Sequence, residues 1–240
     1  MDGLRVHARV IDGPPDRLPA VFVHGLGVAS RYFEPTLERL AGRRRGFAPD
    51  LPGFGLSAKP PAPATIHTLA DALEAWLDAA DLAQVALVGN SVGCQVVVEV
   101  GRRRNGRVVR AALVGPTTEP SARSVVRSLA RWARNARHEP LSLLPILVAD
   151  YARAGVRRPA RMFLDALRDP IEAKLADVVF PTLVVRGEED GIVSAGWAAE
   201  VARLLPNGRL VEIPGAPHTV NYSAPDKLVG VLEPFLAEAD

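Results

Sequence analysis

Three residue types that together can activate a hydroxyl for attack on a carbonyl occur at separate points of the chain. They are Ser91 in "GNSVGC", Asp190 in "GEEDGIV" and His218 in "GAPHTV". A serine hydroxyl is a poor nucleophile until an imidazole removes its proton, and the imidazole needs a carboxylate to fix its tautomer and stabilise its cation. Ser91 sits within Gly89-Asn90-Ser91-Val92-Gly93, directly after the apolar run Val85 to Val88. Such a G-x-S-x-G stretch puts the serine on a sharp strand-to-helix turn, where flanking side chains would clash. The plain alternative is a serine in a glycine-rich turn, and the pentapeptide alone does not exclude it.

The elements that must position these residues are legible as short apolar strands. "RVHARVI" (Arg5 to Ile11) alternates and reads as an edge or hairpin strand before the turn "DGPPD". "AVFVHG", the stretch from Gly46 to Pro49, "QVALVG", "VVRAALVG", "PTLVVRG" and "RLVEIPG" follow. Between them, Leu69, Leu73, Trp76, Leu77 and Ala80 share one helical face. The last helix is signalled by Ser223 as cap, Pro225 in its first turn and Asp226 closing a capping box, with Leu228, Val229, Leu232, Phe235 and Leu236 as buried stripe. Alternating strands and helices predict a mostly parallel α/β sheet with helices on both faces. Residues 116–180 carry no strand and read as two to four helices, including "SARSVVRSLARWARNARH" and "RPARMFLDALRD". So long an interruption is expected to be functional, and we read it as a cap between core segments 1–115 and 181–240.

In parallel α/β sheets ligands bind beyond the carboxyl ends of the strands. Five strand ends here carry His24-Gly25-Leu26-Gly27, Asp50 to Gly55, Gly89 to Gly93, Gly187 to Gly191 and Pro214 to His218. All would open on one edge. The helix behind Ser91 adds a positive dipole end, the N–H of Val92 supplies one oxyanion donor and the N–H of Leu26 the other. His24 is expected to hold its loop while Gly25 lets the backbone turn. Gly25, Phe54 and Asn90 are candidate substrate-binding positions, although Asn90 equally suits a tight turn. Cys94 is expected to pack behind the serine as a small hydrophobe.

Taken together, the loops "HGLG", "DLPGFG", "GNSVGC", "GEEDGIV" and "GAPHTV" resemble the α/β-hydrolase superfamily over nearly the whole chain. The resemblance implies a sheet of about eight strands, a Ser91–Asp190–His218 triad and a helical cap inserted after the sixth strand. It places the acid at Asp190, three residues past Gly187, although Glu188 and Glu189 make a solvated acidic turn look similar. Glu119 in "GPTTEP" is the other acid placement. A serine at position 91 also departs from haloalkane dehalogenases and epoxide hydrolases, whose nucleophile there is aspartate. "GNSVG" is similar to the "GNSMG" elbow of carbon–carbon bond hydrolases acting on ring-cleavage products.

Composition bounds the rest. The 240 residues are 48% hydrophobic and 23% charged, with net charge +2, enough to bury a large core and without a basic aromatic tract for nucleic acid. One cysteine fits a reducing compartment, the N-terminus has no apolar signal region, and no apolar run reaches the roughly 18 residues of a spanning helix. The expectation is a cytoplasmic enzyme without cofactor or metal, monomeric or homodimeric, cleaving an ester of a small-molecule substrate. Carbon–carbon hydrolysis, thioester or acyltransfer chemistry, and ligand binding without turnover remain as alternatives. Arg123, Arg127, Arg131 and Arg134 recur at helical spacing, with Val126, Leu129 and Ala133 expected to pack on another side. They read as a solvated face, or as a site recruiting an anionic substrate.

Overall fold

The computed structural model describes residues 3–61, 64–103 and 106–240. Seven strands form one sheet in the order β1-β3-β2-β4-β5-β6-β7. They are β1 (Ala8–Ile11), β2 (Ala20–Val23), β3 (Gly46–Pro49), β4 (Val85–Asn90), β5 (Val108–Val114), β6 (Thr182–Gly187) and β7 (Gly208–Ile213). All neighbours pair in parallel except β1, an edge strand antiparallel to β3. An eighth strand is not formed among the described residues, so the inserted helices follow the fifth strand rather than the sixth. The sheet ends on β1, whose only partner among the described residues is β3.

The central strands are apolar without interruption because both sheet faces are covered. Val21, Val23, Val85, Leu87 and Leu113 face one cluster with helices α2 (Ile66–Ala79), α3 (Val92–Gly101) and α8 (Ala195–Leu204). Ala20, Phe22, Ala86, Val88 and Val114 face the other, with α1 (Glu34–Leu40) and α10 (Pro225–Ala237). α2 begins at the Thr65–Thr68 capping box. At α10 the expected cap moves by one residue: Ala224 is the N-cap, while Ser223 belongs to the short helix α9 (Val220–Ser223) and donates to the Thr219 carbonyl. Asp226 pairs with Arg39 instead of closing a box. The stripe from Leu228 to Leu236 is buried as the periodicity predicts.

Between β5 and β6 lie α4 (Val125–Ala136), α5 (Leu144–Ala154), α6 (Arg157–Arg168) and α7 (Ile171–Lys174). α4 leaves exposed the apolar residues that a simple amphipathic reading would bury, and its buried residues are Ser128 and Asn135. Val126 and Leu129 are 78% and 51% exposed, and Ala133 is exposed as well. The arginines instead meet the protein: Arg123 pairs with Glu172, Arg127 donates to the Ser121 carbonyl, Arg131 to Glu119 and the Ile192 carbonyl, and Arg134 to the Gly191 carbonyl. α4 lies over loops whose carbonyl oxygens need donors, and guanidinium groups supply them where valine cannot.

The chain leaves β2 toward β3 on one side and returns to β4 on the other, so the order reverses between β2 and β4. That switch point opens a crevice at the carboxyl ends of the two strands. It places His24-Gly25 beside Asn90-Ser91, with Val23 and Gly89 in register. α3 starts there and packs tightly: a methyl group at Gly93 would lie 2.2 Å from the Val23 carbonyl oxygen. We expect Gly93→Ala to displace α3 from β2 at a cost of about 3 kcal/mol, lowering the melting temperature by roughly 6–12 °C in a calorimetric scan.

Candidate active site

Ser91 joins β4 to α3 with φ 57° and ψ −124°, a left-handed backbone that a residue with a Cβ adopts at a cost of roughly 1–3 kcal/mol. Two hydrogen bonds hold it there. Its N–H donates to the Val114 carbonyl at 2.9 Å, and its carbonyl accepts from the Cys94 N–H at 2.9 Å. Cys94 is buried behind the turn, with Sγ 3.2 Å from the Gly89 carbonyl. Gly89 is needed because a Cβ would sit 2.7 Å from the Gly93 carbonyl oxygen. Ser91 itself is only half-buried, so the turn presents its hydroxyl at the cavity wall.

His218 arrives on the loop after β7 and Asp190 on the loop after β6. The imidazole Nδ1–H donates to Asp190 Oδ2 at 2.8 Å, and both side chains are buried. Asp190 Oδ1 accepts the N–H groups of Ile192 and Val193 at 2.8 and 2.9 Å, so the carboxylate can only accept from His218. With Nδ1 protonated, the lone pair of a neutral ring lies on Nε2, a buried atom without a partner among the described residues. Burial alone would lower the His218 pKa. The Asp190 carboxylate and, further off, Glu139 outweigh it and hold the value above the ordinary 6.5. Burial would likewise raise Asp190, but His218 and the two N–H donors hold it below the usual carboxylate value.

The His24 loop is built by a relay. Nδ1–H of His24 donates to the Gly25 carbonyl, and Nε2 accepts from the Leu51 N–H, each at 2.9 Å. Burial lowers the pKa of this ring, which suits the neutral form that both contacts require. The Gly25 N–H donates to the Tyr32 hydroxyl, which donates in turn to Asn90 Oδ1, each at 2.9 Å. Asn90 Nδ2 then reaches the carbonyls of Val114 and His218 at 3.1 and 3.4 Å. Asn90 therefore lines the cavity wall, but its amide is taken up in tying the serine turn to the histidine loop. Phe54 does not line either cavity at Ser91. It is fully buried in edge contact with His24, because the "PGFG" loop folds inward over the His24 ring. Gly25 does border the site: a Cβ there would come within 3.1 Å of Ser91 Cβ.

Two cavities meet at Ser91. The wider, about 190 Å³, includes Gly25, Leu26, Asn90, His218, Leu147 and Tyr151. The narrower, about 30 Å³, includes Val92, Thr117, Glu119, Trp132, Phe163 and Leu167. A depression of about 360 Å³ beside α2 is larger, yet it is lined by Gly3, Leu4, Trp76 and similar groups without an ionisable side chain. Volume does not locate the chemistry here. Glu119 is far from free to serve His218: its pairing with Arg131 holds its pKa at about 2 despite partial burial, which works the other way. Leu26 lies just before Gly27, whose φ of 73° turns the loop, and its carbonyl accepts from Tyr151 at 3.1 Å. Among the described residues no cluster of His, Cys, Asp and Glu could hold a metal ion, and no helix is long and apolar enough to cross a membrane.

Several supporting residues carry no sequence motif. Arg186 Nε donates to the Val193 carbonyl at 2.8 Å and braces the acid loop. Asn135, at the end of α4, accepts the Gly191 N–H at 3.0 Å and donates to Glu139 at 2.8 Å. Glu139 accepts from both the N–H and the hydroxyl of Thr219. The end of α4 thus grips the acid loop and the histidine loop together. The lone polar signal in the sequence, "RNARHEP", gives no period or spacing that would have revealed this.

The chain matches the model of the alpha/beta hydrolase family over residues 20–231 and belongs to that family. It is an enzyme of the hydrolase type. A 2-(acetamidomethylene)succinate hydrolase from Mesorhizobium japonicum is 29% identical to it, over 90% of this chain and 87% of its own length. A 2-hydroxymuconate semialdehyde hydrolase from a Pseudomonas species is 28% identical, over 92% and 88%. The solved enol-lactonase of Burkholderia xenovorans shares the fold at a TM-score of 0.83, with 22% identity over 98% of both chains.

Glu139 is the second carboxylate acting on His218, so Glu139→Gln should lower the imidazole pKa. An NMR titration of the His218 ring protons in wild type and variant reads this directly, and an unshifted midpoint would show that Glu139 acts only as a tether.

Proposed function

We propose that the protein is a serine hydrolase that cleaves an ester through an acyl-enzyme on Ser91. The observation that carries this reading is the state of His218: Nδ1 is held by Asp190, Nε2 is buried and unpartnered, and the residue lines the cavity that Ser91 also lines. An imidazole so placed is a base awaiting a proton. Ser91 Oγ attacks the ester carbonyl as His218 Nε2 takes its proton. The tetrahedral intermediate then expels the alcohol, which receives that proton, and a water repeats the sequence in reverse to release the acid. Asp190 fixes the tautomer and stabilises the imidazolium. The N–H groups of Val92, in the first turn of α3, and Leu26 stabilise the oxyanion, each contributing about 3 kcal/mol in such sites. Gly25 lets the substrate carbonyl approach, since a side chain there would crowd Ser91.

In this reading residues 116–180 are a cap over the hydrolase core 1–115 and 181–240. Trp132, Phe163, Leu147 and Tyr151 of the inserted helices enclose Ser91 from above, which supports it. The substrate class favoured is neutral. The four arginines of the α4 stripe each have protein partners, and the pair Arg131–Glu119 brings no net charge to the cavity. A reducing, cytoplasmic setting suits the single buried thiol.

Carbon–carbon hydrolysis is the second reading, favoured by the relative named for 2-hydroxymuconate semialdehyde. The two share Ser91 and part at the substrate: turnover of neutral aryl esters but not of a vinylogous keto acid supports the first.

A fluorophosphonate probe followed by intact mass should give one adduct on wild type and none on Ser91→Ala. Asp190→Asn should label slower by roughly 10⁴-fold, because the wrong histidine tautomer would face the serine. Equal labelling of wild type and Ser91→Ala would remove the proposal.

A further inference from the structure

The two cavities at Ser91 differ in the one respect that decides which part of an ester each receives. The leaving alcohol must take a proton from His218 Nε2, and His218 borders only the wider cavity. The alcohol therefore lies there, and the acyl chain points into the narrower space. At about 30 Å³ against about 190 Å³, the narrow space takes the smaller part of the ester, so the acyl chain is short. Its walls are mostly apolar, with Trp132 and Phe163 in contact at a ring separation of 5.2 Å.

Among the polar residues of that lining, one has a buried hydroxyl without a partner of its own. Thr117 is only 7% exposed, and its Oγ1 has no hydrogen-bond partner among the described residues. Apart from His218 Nε2, no other unpartnered buried side-chain atom among those residues borders either cavity at Ser91. The loop that carries Thr117 is pinned on both sides. Trp197 Nε1 donates to the Pro116 carbonyl at 3.0 Å, and the Thr118 hydroxyl donates to the Ala166 carbonyl of α6 at 3.3 Å. Thr117 is thus held against the cavity with a buried hydroxyl unsatisfied, an arrangement that costs free energy until a ligand supplies the partner. The nearby Glu119 carboxylate is already neutralised by Arg131, and a second anion would meet it without a free cation.

Resting on the Ser91 reading above, we infer that the narrow cavity is the acyl subsite for a short, uncharged acyl chain bearing one carbonyl or hydroxyl oxygen, and that the Thr117 hydroxyl selects it. A site built to hydrogen-bond an oxygen rejects the analogue that lacks it, because its own polar group then stays buried and unpaired.

The test uses phenyl esters in two matched pairs: 3-oxobutanoyl against 3-methylbutanoyl, and 2-hydroxypropanoyl against 2-methylpropanoyl. Within each pair kcat/KM is taken as a ratio, and the ratios for wild type, Thr117→Val and Thr117→Ser are compared, which cancels the intrinsic reactivity of the esters. We expect Thr117→Val to reduce the preference for the oxygenated ester about tenfold in at least one pair, and Thr117→Ser to restore most of it. Identical ratios in wild type and Thr117→Val for both pairs overturn the inference. Fluorophosphonate labelling of Ser91 in all three proteins separates the causes. Labelling intact with ratios unchanged sinks the Thr117 assignment alone, and no labelling or ester turnover in wild type sinks the hydrolase reading with it.

Discussion

The close approach of α3 to β2 is the constraint on which the rest depends. Because Gly93 lies against the Val23 carbonyl, the helix can begin only one residue after Ser91, and Ser91 must turn the chain with a positive φ. That turn leaves Ser91 at the cavity wall and brings it close to Gly25 on the neighbouring strand end. The local strain is tolerable because a continuous apolar sheet and two covered faces over-determine the position. A looser helix would relieve the strain and lose the geometry.

The polar groups around this turn form a connected scaffold rather than isolated contacts. His24, Gly25, Tyr32 and Asn90 are linked in one chain of hydrogen bonds that ends on the carbonyls of Val114 and His218. Each buried donor in it has an acceptor, so the relay fixes loops from β2, β4 and β7 relative to one another without leaving desolvated groups unpaired. The inserted helices add the second support. Arginines of α4 satisfy the carbonyls of the acid loop, while Asn135 and Glu139 hold Gly191 and Thr219. The end of α4 therefore ties the acid loop and the histidine loop to one support.

Within that scaffold most polar atoms are satisfied, and this makes the exceptions informative. His218 Nε2 and Thr117 Oγ1 belong to residues that line different cavities, both of which reach Ser91. The first suits proton transfer, the second suits recognition. Glu119 and Arg131 show the contrary case: both border the narrow cavity, yet they neutralise each other and offer no charge to a ligand.

The strand pattern and the switch-point loops could be read from local sequence, because apolar runs and glycine-bounded turns are set by neighbours in the chain, whereas the pairing of Asp190 with His218 was implied by the resemblance of the loops. The edge placement of β1 followed from its alternation for the same reason. What pattern alone could not give depended on contacts between distant segments. The sheet closed at seven strands with β1 at its edge, and the arginines around α4 found carbonyl and carboxylate partners on distant loops. Phe54 went into the core, Asn90 went into the scaffold, and Thr117, on the narrow cavity, was left with a buried hydroxyl unpaired. Each of these outcomes is decided by where polar atoms find partners in three dimensions, and a hydrogen bond across a hundred residues leaves no trace in the periodicity of either partner.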